Sequence, residues 1–150
     1  MRILIQRVKE ASVSINGLLK SQINNGLLVF LGVEHEDGPE DLSWLVDKLI
    51  KLRIFDDERG VMNLSIIDVS GQFLIISQFT LHANTRKGAR PSYIRAARPE
   101  QAIPLYEGFL SQIKEKTGIN PESGEFGSDM QVALINDGPV TIWIDSKNRE

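Results

Sequence analysis

The chain contains no cysteine. Disulfides, thiolate metal sites and cysteine-nucleophile chemistry are therefore excluded, and nothing points to an oxidising compartment. Long apolar runs are missing too: no stretch approaches the roughly 20 apolar residues needed to span a bilayer. Residues 1 to 10 alternate apolar and charged side chains, where a secretory signal would carry a continuous apolar core. These absences predict a soluble, cytoplasmic protein without a membrane association. Histidine is scarce, with only His35 and His82. There is no HExxH pair, no G-x-S-x-G elbow and no phosphate-cradling glycine loop, so zinc, serine-hydrolase and nucleotide readings lack support. Neither a metal nor a cofactor is expected.

What is present fits one domain over residues 1–150, a length that buries roughly 68 to 70 % of the unfolded surface without staples. The net charge of -3 argues weakly against a polyanionic partner. The charge is uneven, however. Between Leu81 and Pro99 stand Arg86, Lys87, Arg90, Arg95 and Arg98 with no acidic residue among them. Composition alone reads this stretch as a solvated basic loop.

The apolar periodicity predicts a long, possibly bulged strand over residues 2 to 15, closed by an Asn16-Gly17 type I′ turn into a strand over 18 to 23. The run Leu27 to Val33 is almost wholly apolar, as in a strand buried on both faces. Helical spacing of Leu42, Leu45, Val46, Leu49 and Ile50 follows Gly38-Pro39, with Glu40 and Asp41 first and Lys48 and Lys51 last. An irregular stretch follows Asp56 to Gly60, and the strand Phe73 to Ile76 runs into Ser77-Gln78-Phe79-Thr80-Leu81. Pro99 opens a second helix, with Ala102, Leu105, Tyr106, Phe109, Leu110 and Ile113 on one face and Gly118 as its C-terminal cap. Two final strands, 130 to 135 and 140 to 144, are expected on either side of a turn at Asn136-Asp137-Gly138-Pro139. The fold class is α/β, a single domain with a largely antiparallel sheet and two main helices.

Three features could carry chemistry: the polar strand end Ser77 to Thr80, the basic loop behind it, and the Gly138-Pro139 turn. Ser77 and Thr80 carry hydroxyls, but a nucleophilic hydroxyl needs an activating base. His82 is too near in sequence to be assigned as their partner. On residue logic alone Ser77 and Thr80 read as a satisfied strand end, and Gly138-Pro139 as a hairpin turn. Trp44 and His35 read as core or surface residues.

Several blocks, taken in order along nearly the whole chain, carry a resemblance. They include Ile5-Gln6-Arg7-Val8, Ala11-Ser12-Val13, Arg53-Ile54-Phe55, Met62-Asn63-Leu64, Ser77-Gln78-Phe79-Thr80-Leu81, Gly88 with Arg90-Pro91-Ser92, and Asn136-Asp137-Gly138-Pro139-Val140-Thr141. Together they resemble the D-aminoacyl-tRNA deacylases, and SQFTL with NDGPVT is highly specific to that family. Departures are small: Lys9-Glu10 stands where many members carry a basic residue, and Tyr93 replaces a frequent phenylalanine.

The resemblance implies hydrolysis of the ester of D-aminoacyl-tRNA, and of mischarged glycyl-tRNA, with rejection of L-aminoacyl-tRNA. It also implies a barrel-like arrangement of the strands. It places Ser77, Gln78, Phe79 and Thr80 at the catalytic centre, with the Phe79 and Thr80 N–H groups as an oxyanion hole and Leu81 beside them. Phe126 and Met130 resemble the wall around the terminal adenine. Gly138-Pro139 resembles the cis dipeptide that one subunit of a homodimer inserts into its partner's site, and Arg7 is the candidate for holding it. Arg86, Lys87 and Arg90 then acquire the tRNA phosphates as partners. In the family the terminal 2′-hydroxyl of the tRNA assists water or attacks the ester. The alternatives are a Thr80 covalent nucleophile and a non-catalytic binder of the tRNA end.

Overall fold

In the computed structural model, which describes residues 1–149, the chain opens with a hairpin set by sterics. Asn16 and Gly17 both take positive φ, 51° and 76°, as a type I′ turn requires, and join β1 (Arg2–Ile15) to β2 (Leu18–Ile23) in antiparallel register. β3 (Gly26–Gly32) pairs antiparallel with the first half of β1, so that β1 is flanked on one side by β3 and then β2. After α1 (Pro39–Lys51) comes a small hairpin of β4 (Phe55–Asp56) and β5 (Met62–Leu64), in the stretch that the sequence reads as irregular. β6 (Gln72–Ser77) then lies parallel to β3. α2 (Pro99–Thr117) leads to β7 (Glu122–Ser123), parallel to β6, and to β8 (Gln131–Asp145).

The path β2-β1-β3-β6-β7 curls until its ends meet, where the Ser21 hydroxyl donates to the Ser123 carbonyl at 2.7 Å. The result is a nearly closed, barrel-like sheet, antiparallel around β1 and parallel around β6. Alternation along the strands divides the apolar residues between two cores. Leu27, Val29, Leu31, Phe73 and Ile75 face the helices, joined by Leu42, Leu45, Leu49, Phe109 and Ile113. Leu28, Leu74 and Ile76 face the other way, into the barrel, with Val13 and Ile23. This is why the β3 and β6 runs are apolar at successive positions: both faces are covered, and each fully buried aliphatic side chain stabilises by about 1.5–3 kcal/mol. β1 changes phase at an irregularity between Val8 and Glu10, sending Ile3 and Ile5 to the first core and Val8, Ala11 and Val13 to the second.

Both helices begin at proline in the first turn, and the Asp41 carboxylate accepts the Gly38 N–H at 3.0 Å. Gly118 closes α2 in the left-handed region, φ 73°. No helix among the described residues is long and apolar enough to cross a membrane.

The C-terminal region corrects the expected pair of strands joined by a hairpin turn. β8 is one strand that runs antiparallel along the whole of β1, from Ser14↔Gln131 to Arg2↔Asp145. Between Val8↔Asn136 and Gln6↔Thr141, the single residue Arg7 faces Asp137, Gly138, Pro139 and Val140. The NDGP segment is therefore a bulge thrown out from a continuous ladder. The turn signals of Gly and Pro are real, but β1 is long enough to pair with the segments on both sides.

Candidate active site

β6 stops at Ser77, and the chain turns at once into a short 3-10 turn, Phe79–His82. The entry is pinned by the Gln78 N–H, which donates to the Leu31 carbonyl at 2.7 Å. The first bond of the turn is the Leu81 N–H to the Gln78 carbonyl, at 3.3 Å. Phe79 and Thr80 precede it, so their N–H groups are donors that the turn itself does not use. The Gln78 side-chain amide donates to Thr80 Oγ1 at 2.6 Å. That bond orients the hydroxyl without removing its proton.

Beside the turn lies a cleft of about 280 Å³. Its lining includes Ser77, Gln78 and Phe79 from the turn, Phe126 and Met130 from the segment before β8, and Leu31, Val33, Ala97, Ala102, Tyr106, Asp129 and Val132. Thus Ser77, Gln78, Phe79, Phe126 and Met130 are brought together, although about fifty residues separate the two groups. Thr80 and Leu81 sit on the adjoining turn but do not line the cleft, and the Leu81 carbonyl is held from behind by Arg2 at 3.0 Å.

Tyr106 was legible only as part of an apolar helix face. Its hydroxyl donates to the Ile75 carbonyl at 2.8 Å, its ring stands 6.0 Å from that of Phe126, and burial pushes its pKa up to about 12. It is a neutral aromatic wall of the cleft. His82 is buried, and burial, the largest influence, pushes its pKa below the ordinary value. No hydrogen bond joins either ring nitrogen to Ser77 or Thr80, and the ring faces Glu34 instead, with Nδ1 4.0 Å from its carboxylate, so His82 is not placed as a base for either hydroxyl.

Gly138 and Pro139 lie elsewhere, exposed on the bulge, and the peptide bond between them is cis. The bulge is built by its own sequence. Asn136 Oδ1 accepts the Val140 N–H at 2.9 Å, and Asn136 Nδ2 donates to Thr141 Oγ1 at 2.8 Å. Arg7, buried at 6 % exposure, donates to the Asp137 carbonyl at 3.1 Å and to the Ile54 carbonyl at 2.7 Å. The Asp137 carboxylate lies 3.4 Å from Arg7 and 3.3 Å from Lys9. Gly138 has φ 126°, and a Cβ there would come within 3.0 Å of Arg7 Nη2. Asn136, Asp137, Lys9 and Thr141 are parts of this support that sequence reasoning missed: Asp137 meets Arg7 and Lys9 only through the β1–β8 register, and Asn136 meets Val140 and Thr141 only because the bulge folds back on itself.

Arg86, Lys87 and Arg90 are exposed on the loop after the turn, and none of them forms an ion pair among the described residues. Arg95 differs: its guanidinium binds the buried Glu34 carboxylate at 2.5 Å, so this member of the basic stretch is engaged within the fold. No cluster of acidic and histidine side chains able to hold a metal occurs among the described residues.

A barrel-like α/β domain carries an apolar, aromatic-walled cleft, and the adjoining turn leaves the Phe79 and Thr80 N–H groups outside its own bonds, an arrangement that suits acyl transfer or ester hydrolysis. The chain belongs to the D-Tyr-tRNA(Tyr) deacylase family, whose model matches residues 4–145. It is 56 % identical to the D-aminoacyl-tRNA deacylase of Bacteroides thetaiotaomicron over 150 residues, the whole of both chains. It is 58 % identical to that of Porphyromonas gingivalis over the same span. Among solved structures, it superposes on one described as c-Myc DNA Unwinding Element Binding Protein with a TM-score of 0.92 and 39 % identity, covering 97 % of this chain and 98 % of the other. A probable eukaryotic D-amino acid tRNA deacylase shares the fold, with a TM-score of 0.81 at 17 % identity over 95 % of this chain and 97 % of the other.

Proposed function

We propose that this chain hydrolyses the ester of D-aminoacyl-tRNA, and of glycyl-tRNA, as a cytoplasmic homodimer that leaves L-aminoacyl-tRNA intact. The observation that carries the reading is a complementary pair of features in one chain. The cleft beside the Phe79–His82 turn is lined by Ser77, Gln78 and Phe79 but by neither Gly138 nor Pro139, which stand exposed on a rigidly supported bulge. A second copy, related by two-fold symmetry, gives its dipeptide and receives its partner's.

In this reading the terminal adenosine stacks against Phe126 and Met130, and Ser77 and Gln78 orient the ribose and ester. The backbone N–H groups of Phe79 and Thr80 receive the negative charge that develops on the carbonyl oxygen, where one such donor contributes about 2.7–4 kcal/mol. Without a base beside Ser77 or Thr80, attack falls to water assisted by the terminal 2′-hydroxyl of the tRNA, and the protein supplies orientation. Backbone carbonyls of the partner's Gly-Pro segment accept hydrogen bonds from the α-amino group and fill the volume an L side chain needs. A D side chain points away, and glycine has none. Arg7 keeps the segment in place, and Arg86, Lys87 and Arg90 meet phosphates of the acceptor stem.

The test is the purified protein against matched D-, L- and glycyl-tRNA. Release of D-amino acid and glycine with the L-ester spared is expected. Equal turnover of the D and L esters would refute chiral rejection, and binding without turnover would make the protein a carrier of the tRNA end.

A further inference from the structure

We propose that Arg2 is a positioning residue for the hydrolysis, holding the Phe79–His82 turn so that the N–H groups of Phe79 and Thr80 face the cleft. The inference rests on the ester-hydrolase reading above, which assigns those two groups the oxyanion.

The turn is too short to fix its own direction. A 3-10 turn of this length has few internal bonds and poor hydrogen-bond geometry. The Leu81 N–H reaches the Gln78 carbonyl at 3.3 Å, and the Ala83 N–H reaches the Thr80 carbonyl at 3.0 Å. Its orientation against the sheet therefore comes from anchors at its ends. The entry anchor is the Gln78 N–H on the Leu31 carbonyl, at 2.7 Å. The exit anchor is Arg2, whose Nη1 donates to the Leu81 carbonyl at 3.0 Å. Phe79 and Thr80 lie between the two.

Arg2 is itself held in three directions. Its Nε donates to Asp145 Oδ2 at 2.7 Å, and its guanidinium carbon stands 5.5 Å from the centre of the Trp143 ring. The other oxygen of Asp145 accepts the Lys147 N–H at 2.9 Å, which fixes the carboxylate in turn. Arg2 and Asp145 are only 19 % and 10 % exposed at their side chains, so water competes little for the pair. A planar fork engaged on two edges and one face has little freedom left, and it transmits that order to the Leu81 carbonyl. The seat beneath the turn is equally close. Gly32 pairs with Arg2 across β1 and β3, and a Cβ at Gly32 would come within 2.9 Å of the Gln78 carbonyl oxygen and 3.1 Å of Leu81 Cβ.

Arg2→Met keeps most of the apolar stem and removes the fork. Backbone amide hydrogen exchange in the free protein reads the turn without any substrate, and steady-state hydrolysis of D-aminoacyl-tRNA reads the reaction. Exchange at Leu81 and Ala83, whose N–H groups make the bonds of the turn, is expected to quicken by roughly tenfold while β3 and β6 keep their protection. In the same variant kcat should fall by roughly 10- to 100-fold with little change in KM, because substrate contacts remain and only the oxyanion donors lose aim. Arg2→Lys should fall between, since one ammonium cannot hold Asp145 and the Leu81 carbonyl together, and it carries the same test if Arg2→Met does not fold. Unchanged exchange at the turn, or a lower Tm with kcat intact, would overturn the proposal. Wild-type protein that leaves D-aminoacyl-tRNA intact would instead defeat the hydrolase reading, and the exchange data would still decide whether Arg2 holds the turn.

Discussion

Replacing Arg7 by methionine tests the support of the NDGP bulge, and its cost follows from four contacts. The guanidinium donates to the buried Ile54 carbonyl at 2.7 Å and to the Asp137 carbonyl at 3.1 Å. It also lies 3.3 Å from the Asp56 carboxylate and 3.4 Å from that of Asp137. Methionine fills much of the same volume but offers no donor. The Ile54 carbonyl is then left buried and unpaired, at about 1–3 kcal/mol, and the partly buried Asp137 carbonyl adds about 1 kcal/mol. The carboxylates contribute a few tenths of a kcal/mol, because Asp56 is 50 % exposed at its side chain and water screens it. The sum is about 3 kcal/mol, which for a domain of this size lowers Tm by about 6–12 °C. Circular dichroism melts of wild type, Arg7→Met and Arg7→Lys measure it, with lysine intermediate because it keeps a single donor. Activity should fall further than stability explains at a temperature where every variant is folded, since the bulge loses its fixed pose. A Tm within about 1 °C of wild type with full activity would show that the bulge is held by Asn136 and Thr141 alone, and the reasoning about Arg7 would be wrong.

Thr80→Ala should retain substantial hydrolysis, because it keeps the backbone N–H, whereas a substrate lacking the terminal 2′-hydroxyl should be turned over far more slowly; the reverse pattern, with a trapped acyl-enzyme, would establish Thr80 as nucleophile. Arg86→Ala and Lys87→Ala should raise KM and flatten its salt dependence with kcat preserved, and an unchanged salt slope would make these side chains ordinary solvated charges. Mixing a Pro139-altered subunit with a Gln78-altered one should restore part of the activity by forming one intact shared site per dimer; strictly additive loss would argue against sharing. Asp41 provides a pH test. Burial works against its ionisation, but hydrogen bonds from Lys147, Ser146 and the Gly38 N–H outweigh it and lower its pKa from 3.8 to about 2. A carboxyl depressed on folding stabilises above its unfolded pKa, so this contribution is full above about pH 4 and is lost as pH falls toward 2. Acid unfolding of Asp41→Asn should be less steep in that window, and an identical acid limb would exclude the role.

Local rules were enough for the long elements up to α2, but not for the short strands β4, β5 and β7 or for the continuity of β8. The Asn16-Gly17 turn needs two residues that tolerate positive φ, the proline starts and glycine end of the helices follow from backbone sterics, and apolar runs at successive positions announced β3 and β6 as covered on both faces. The motifs SQFTL and NDGPVT marked the turn beside the cleft and the exposed bulge on β8. Sequence reasoning went wrong at residues 136–140, where a hairpin turn and a bulge use the same Gly and Pro, and only the length of β1 available for pairing distinguishes them. It also left Arg2, Lys9 and Tyr106 without roles, because a charged or aromatic side chain on a strand or helix has no fixed partner until the register is set. The sequence by itself determined the menu of elements and the family's motifs, since turn sterics and side-chain periodicity act over a few residues. Only the tertiary structure decided that Ser77 meets Phe126 in one cleft, that Arg7 faces the bulge and that Arg2 reaches Leu81, since those meetings are made by strand pairing across the sheet and have no local signal.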